Sequence, residues 1–517
     1  MRDPGTGEPA IHTAFSRIAA RNPDVAALIH DGTHTTYGIL DAASNAYAAE
    51  LSARGVGTGE IVPLLLPRSP QLVAVQLAVL KCGAAYANID ANWPTARQEA
   101  IFRQSGPKVV VAHEDTAPAG DFDVLVLADE QPSAVAGRAT DFMPLLVDST
   151  APATVFFTSG TTGVPKGVVV PHRAVTRLFG PDGLEGFGPG HATPQAAAIA
   201  WDMYAFELWG QLTSGGTAAL VPEGHLLPGT LRELVRRAGV DTVWLTTSLF
   251  NLFVDEDVDC FEGVRQLLIG GEKLSPAHVR TFLARHPAIP LRNGYGPAEN
   301  CMLTTTHLIR PEDCDITEGI PVGRPVPGTR VVLLTEDGRS CAPGENGEVC
   351  IAGSGLAVGY LDQPEMTAEK FPTAVVDGAP VRMYRTGDIG VLDEDGVLHF
   401  RGRRDRQVKI SGHRIELSEV EIAARELDGV RQCLVVPLTA ADGQVNRLAL
   451  CYVAETAADA HDGPSESEVR AALVRTLPAY LVPAVVRRLD RFPVTANGKA
   501  DQEELRRLAS RPRRSAR

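Results

Sequence analysis

Apolar residues recur at helical spacing through residues 11–29, IHTAFSRIAARNPDVAALI, and the pattern breaks at Asn22-Pro23, which predicts an amphipathic helix near the start of the chain. An alanine-rich helix follows Tyr37-Gly38. Residues 61–66 read as a buried strand closed by Pro67, residues 70–80 as a helix ending at Lys81-Cys82-Gly83, and residues 84–90 as the next strand. The alternation continues with apolar runs at 109–112, 124–127, 218–222, 243–246 and 267–269. Strands separated by helices of about 10–15 residues predict βαβ units and a mainly parallel sheet.

The texture changes after Arg310. Short runs at 331–334, 347–353, 381–384 and 397–400, punctuated by Gly, Pro and Asp-Gly, predict an antiparallel or β-barrel-like subdomain. Beyond the charged stretch 401–405, RGRRD, the pattern is that of a small α+β unit: a strand at 408–415, a helix at 417–427, strands at 433–437 and 448–453, and a helix after Gly463-Pro464-Ser465. The expected fold class is therefore α/β, with a large N-terminal domain over residues 1–403 and a small C-terminal α+β domain over residues 404–517.

Between β-branched or aromatic runs at 155–157 and 168–170 lies the loop TSGTTG, residues 158–163, followed by Lys166. Gly160 and Gly163 let backbone N–H groups approach an anion, the hydroxyls of Thr158, Ser159, Thr161 and Thr162 add donors, and Lys166 adds positive charge. This is the chemistry that a polyphosphate needs. The lysine follows Pro165 and no helix signal comes after it, so the loop is not of the Walker A type and has to close over phosphate. An ordinary hairpin turn uses the same residue types, and the loop alone leaves that alternative open.

Composition narrows the class. With 44% hydrophobic and 22% charged residues, the chain reads as soluble and globular with a large core. No run is long and apolar enough for a signal peptide or membrane span, which leads to the expectation of a cytoplasmic protein without membrane contact. The net charge of -14 argues against general nucleic-acid binding, the basic end RPRRSAR reading as a solvated tail. Eight scattered cysteines without a C-x-x-C pair point to free thiols.

Seven stretches then occur in order: LKCGAAY at 80–86, the loop ending at Lys166, NGYGPAE at 293–299, GEVCIAG at 347–353, YRTGD at 384–388, GRRDRQVK at 402–409 and NGK at 497–499. Together they resemble the core motifs of the adenylate-forming superfamily, specifically nonribosomal peptide synthetase adenylation domains, over residues 11–505. The resemblance implies ATP-dependent activation of a carboxylic acid to an acyl-adenylate with release of pyrophosphate, then transfer to a thiol.

It also implies roles. The loop residues Thr158 to Gly163 and Lys166 gate the phosphates, and Glu299 holds Mg²⁺. Tyr295, within Tyr295-Gly296, stacks on adenine, Asn293 bonds its amino edge, and Asp388 with Arg403 binds the ribose. Lys499 bridges the substrate carboxylate and the α-phosphate. Asp405 is the hinge about which a mobile C-terminal domain exchanges Lys499 for the face carrying Gly412. The motif has Ala298 where the family more often has Thr, which removes one hydroxyl near the α-phosphate.

Residues 201–209, WDMYAFELW, are helical by spacing and place Asp202 and Phe206 on one face with Met203 beside them. Asp202 is either a helix cap or, by the resemblance, the partner of a substrate α-ammonium. Motif alignment completes the pocket with Leu245, Leu268, Gly270, Gly294, Met302 and Leu303. None of these side chains is charged or hydrogen-bonding, which favours a small apolar amino acid, best alanine, ahead of valine, proline or leucine.

The absence of a carrier stretch after Lys499 leads to the expectation of a free-standing enzyme loading a separate carrier protein on its phosphopantetheine thiol, as in antibiotic biosynthesis. The alternatives are an acyl- or aryl-CoA synthetase of the same superfamily and a non-catalytic nucleotide-binding protein.

Overall fold

The computed structural model describes residues 8–138, 141–160, 163, 165–222, 226–440, 444–455, 463–493 and 500–510. Its contacts divide the chain into two compact units. One comprises residues 1–91, 102–157 and 167–404; the other comprises residues 92–101, 158–166 and 405–517.

Among the described residues, the first unit holds four sheets of four or more strands and one two-stranded sheet. Strands Ile61–Leu65, Ala85–Asn88, Val109–His113 and Asp123–Leu127 run parallel in a seven-stranded sheet that also holds Pro152–Thr158 and Lys166–Pro171. In a four-stranded sheet, Ala26–His30, Thr217–Leu220 and Ala192–Gln195 pair in parallel. A five-stranded sheet sets Thr242–Thr246, Gln266–Gly270 and Leu291–Tyr295 in parallel, then turns antiparallel at Thr305–Leu308. The fourth is fully antiparallel, with strands Thr329–Leu334, Asn346–Gly353, Tyr384–Leu392 and Leu398–Arg403. The class is α/β, as the alternating pattern predicts.

The helix Pro70–Lys81 shows how sequence sets position. Ser69 caps it by accepting from Leu72 N–H at 3.1 Å, Pro70 suits its first turn, and every residue of the helix is buried. Even Lys81 is buried, its ammonium donating to Asp41, Ser44 and Asn45 at 2.7–2.8 Å. Burial lowers its pKa against the pull of Asp41, and this scarce lysine is a structural one.

In the second unit, helices Leu417–Arg425, Glu466–Thr476 and Gln502–Ser510 accompany the sheet Val430–Thr439, Val445–Ala454 and Val485–Arg488. The single strand expected at 408–415 is instead a hairpin, Val408–Ile410 with His413–Ile415. Its turn residues Ser411 and Gly412 have φ of 50° and 81°, which suits the twist of a two-residue hairpin loop. The run at 381–384 likewise divides, Ala379–Arg382 pairing with Thr373–Val376 while Tyr384 begins a strand of the four-stranded antiparallel sheet. All eight cysteines are free, and among the described residues no helix is long and apolar enough to cross a membrane.

His172 is buried, accepting from Ile11 N–H at 3.2 Å and lying edge-on to His12 at 5.4 Å. Burial depresses its pKa to about 3. The unfolded chain therefore binds a proton near pH 6.5 that the folded chain refuses, so stability present above that pH is lost as the pH falls toward 3. His172→Gln should flatten the slope of unfolding free energy against pH between 6 and 4 by up to ~1.4 kcal/mol per unit. Urea titrations across that range test this, and an unchanged slope would contradict it.

Candidate active site

In the first unit the strand Leu291–Tyr295 carries two of the expected nucleotide contacts. Asn293 is buried and donates its amide to Pro321 O at 2.8 Å, which leaves its carbonyl oxygen as the acceptor suited to an amino group. The hydroxyl of Tyr295 donates to Asp388 Oδ2 at 2.5 Å, and Arg403 donates to Asp388 Oδ1. Burial, then the Asp388 charge, pushes the Tyr295 hydroxyl well above its usual range, so it stays a donor. Asp388 and Arg403 stand opposite each other in the antiparallel register, which is how a sheet brings together residues fifteen apart.

Glu299 lies in the short turn Ala298–Asn300, is fully buried, and accepts from the Tyr360 hydroxyl at 2.7 Å. Carboxylate oxygen suits Mg²⁺, so the donor set fits the ion. Glu299 belongs to no cluster of three or more metal-ligating side chains among the described residues, so it would hold such an ion as a single carboxylate, with the remaining ligands coming from outside these side chains.

Asp202 begins the helix Asp202–Leu212, and Trp201 occupies the cap position. The segment before the helix is held on both sides. Arg68 donates to the carbonyl oxygens of Ala196 and Ala197 at 3.2 and 2.9 Å, while Glu207 accepts from their N–H groups, each at 2.8 Å. Burial pushes the Glu207 carboxyl up to about 7 against those donors.

Phe206 packs with Phe179 and Phe187 at 5.6 and 5.2 Å. The parallel register pairs Trp244 with Leu268 and Gly270 with Gly294. A Cβ on Gly270 would meet Gly294 O at 2.1 Å and the Trp244 ring at 3.2 Å, and one on Gly294 would meet Leu303 at 2.9 Å. Met203, Phe206, Trp244, Leu268, Met302 and Leu303 share one core.

Leu245 does not. It packs with Val243, Leu267 and Ile269 in the separate core beneath the helices of the five-stranded sheet. The expected wall residue is corrected to Trp244, because alternate strand residues face opposite sides and a one-residue error exchanges them.

The phosphate-type loop belongs to the second unit. Ser159 donates to Arg414 O at 2.6 Å, Gly160 N–H to Glu419 Oε2 at 2.9 Å, and Lys166 to Glu416 Oε1 at 3.3 Å. The other oxygen of Glu419 accepts from Arg97 at 2.8 Å. Thr158 Oγ1 is buried without a hydrogen-bond partner among the described residues. Asp405, the first residue of this unit's C-terminal segment, is exposed and accepts from Gln407 N–H at 3.2 Å. Thr161, Thr162 and Lys499, like the basic end of the chain, lie outside the described residues.

The family profile described as AMP-binding enzyme matches residues 15–361, and that of the AMP-binding enzyme C-terminal domain matches residues 419–499. The chain belongs to the AMP-binding enzymes.

Within that family it is 36% identical over 501 residues to tyrocidine synthase 3 of Brevibacillus parabrevis, covering 96% of this chain and 8% of that one. It is 35% identical over 510 residues to surfactin synthase subunit 1 of Bacillus subtilis (strain 168), covering 98% and 14% respectively. The chain thus spans a small part of these relatives' length. Among solved structures it is similar to holo-PA1221, described as an NRPS protein containing adenylation and PCP domains bound to a vinylsulfonamide inhibitor. The TM-score is 0.86 at 34% identity, with 97% of this chain and 84% of that chain covered.

Against the AMP-binding motifs, the structure adds residues that sequence reasoning missed. Tyr360, Arg68, Glu416 and Glu419 stand outside the quoted motifs, and Glu207 lies within the stretch 201–209 without having been singled out. Only Trp244 had a usable signal, its alternation with Leu245 along a strand. Leu245→Ala should cost ~2–5 kcal/mol by equilibrium unfolding yet leave the choice of bound side chain unchanged. Trp244→Ala should instead enlarge the side chain accepted, measured over a ligand panel. Equivalent behaviour of the two variants would reverse the assignment of faces.

Proposed function

We propose that this AMP-binding enzyme activates a small apolar amino acid, best alanine, with ATP and Mg²⁺ to the aminoacyl-adenylate, releasing pyrophosphate. It then passes the aminoacyl group to the phosphopantetheine thiol of a separate carrier protein. The observation that carries the reading is the match of the AMP-binding enzyme profiles to residues 15–361 and 419–499, with relatives among peptide synthases. Asp202, a buried carboxylate in the first turn of the helix that also bears Phe206, has the chemistry to receive a substrate α-ammonium. The relatives support the class of acid, since tyrocidine and surfactin synthases carry the similar stretch.

Under this reading the first unit supplies Asn293 and Tyr295 for adenine, Asp388 with Arg403 for ribose, and Glu299 for the ion. Bound Mg²⁺ supplies charge neutralisation at the phosphates. The second unit supplies Lys166, Ser159 and Thr158 as phosphate donors, Lys499 as the cation between the two reacting groups, and Asp405 as the hinge. Attack by a carboxylate oxygen on the α-phosphate requires no side-chain nucleophile; positioning and charge stabilisation carry the step. The indole of Trp244 and the close approach of Gly270 to Gly294 limit pocket volume, which supports a short side chain. Neighbouring aliphatic substrates differ by ~1–3 kcal/mol per methylene, so the enzyme accepts several.

Amino-acid-dependent ATP–pyrophosphate exchange over a substrate panel should show alanine or a close aliphatic preferred. A charged or aromatic preference would overturn the pocket assignment, and CoA accepted in place of a carrier would favour the acyl-CoA synthetase alternative. Lys499→Ala should lower adenylate formation by about 10²–10³. Near wild-type exchange by that variant would remove Lys499 from the reaction.

A further inference from the structure

The wall segment Asn300–Leu303 has an unusual backbone. Cys301 and Met302 are consecutive non-glycine residues with φ of 49° and 73°, and both are buried. Leu303 N–H donates to Cys301 O at 3.0 Å, closing a γ-turn around Met302 with positive central φ, the rare and strained form. A conformation of this kind persists only where its surroundings hold it.

What holds it is Arg177, some 120 residues earlier in the chain. The guanidinium is buried and donates from Nη2 to Asn300 O at 2.9 Å and to Leu303 O at 2.8 Å, gripping the turn at both ends. Nη1 donates to Pro327 O at 2.9 Å and anchors the cation to a second segment. Asn300 reinforces the turn by donating to Leu303 O at 3.2 Å and to Thr304 Oγ1 at 3.0 Å. Space for the guanidinium is built in: a Cβ on Gly355 would lie 2.4 Å from Arg177 Nε and 2.5 Å from Nη2. Gly355 has no positive φ, so the slot, rather than the backbone conformation, is what requires glycine there.

We propose that Arg177 is a positioning residue for substrate selection, fixing the strained Cys301–Leu303 turn and thereby the placement of Met302 and Leu303 in the wall of the amino-acid pocket. This inference rests on the adenylation reading. The guanidinium acts through two carbonyl oxygens of the turn. Burial lowers its pKa to about 10, which leaves it cationic at neutral pH. The planar fork explains why arginine serves here, since a single ammonium does not span both carbonyl groups and Pro327 O in the same way.

The test is steady-state exchange with the amino-acid panel on wild type, Arg177→Met, Arg177→Lys and Gly355→Ala, together with thermal unfolding of each. In Arg177→Met the KM for the preferred amino acid should rise on the order of tenfold with the KM for ATP unchanged. The preference for it over the next longer homologue should fall toward unity from the 10–200-fold that one methylene can supply. Arg177→Lys should fall between, and Gly355→Ala should reproduce the effect by displacing the guanidinium. Should Arg177→Met fail to fold, those two variants decide. Adding Cys301→Gly, which adopts positive φ freely, should restore part of the lost selectivity. Wild-type preference in folded Arg177 and Gly355 variants, or lowered stability with both KM values and the preference intact, would overturn the inference alone. Absence of exchange in wild type would overturn the adenylation reading and this inference with it.

Discussion

The closeness of two neighbouring strands governs this pocket. Gly270 and Gly294 are register partners, and with no side chain at either position the backbone itself forms the floor. Trp244 lies against Gly270, and Leu268 and Leu303 lie against Gly294. Any side chain at 270 would meet the carbonyl oxygen of Gly294, so the spacing of the sheet, more than the bulk of the walls, limits what can occupy the space. The phenylalanine cluster around Phe206 and the Arg68–Glu207 clamp on residues 196–197 keep the helix bearing Asp202 in fixed relation to that floor.

Much of the fold was legible from local pattern, because the βαβ alternation and the later Gly-punctuated strands are short-range signals that tertiary packing reinforced. Tyr295 and Asp388 stood out as candidates because each sits in a contiguous motif, and the structure brings their side chains together. Two classes of feature were not legible. Trp244 against Leu245 turns on a single step of strand register, which an apolar run buried on both faces does not display. Arg177 and Glu207 act on backbone groups, and a carbonyl oxygen has no residue-type signature. A contact from Arg177 to Asn300 O across 123 residues leaves no trace in either segment.

The division at 408–415 has a similar origin. Read as hydrophobic spacing, VKISGHRI passes for one strand; read as turn chemistry, Ser411-Gly412 is a two-residue hairpin loop. Glycine carries both meanings, and only pairing decides between them. The same ambiguity attended the loop before Lys166, where the neighbouring motifs favour the phosphate reading that composition left open.

Two donors of that loop already meet carboxylates in the structure. Glu416 and Glu419 accept from Lys166 and from Gly160 N–H, so these donors face carboxylate oxygens. Under the proposed reading, an incoming polyphosphate exchanges one anion for another at these two donors. The free energy of that exchange is a difference between two sets of charge-assisted hydrogen bonds, smaller than either set alone. Under the proposed reading, such a loop releases pyrophosphate with a resident carboxylate at hand to take back Lys166 and Gly160 N–H.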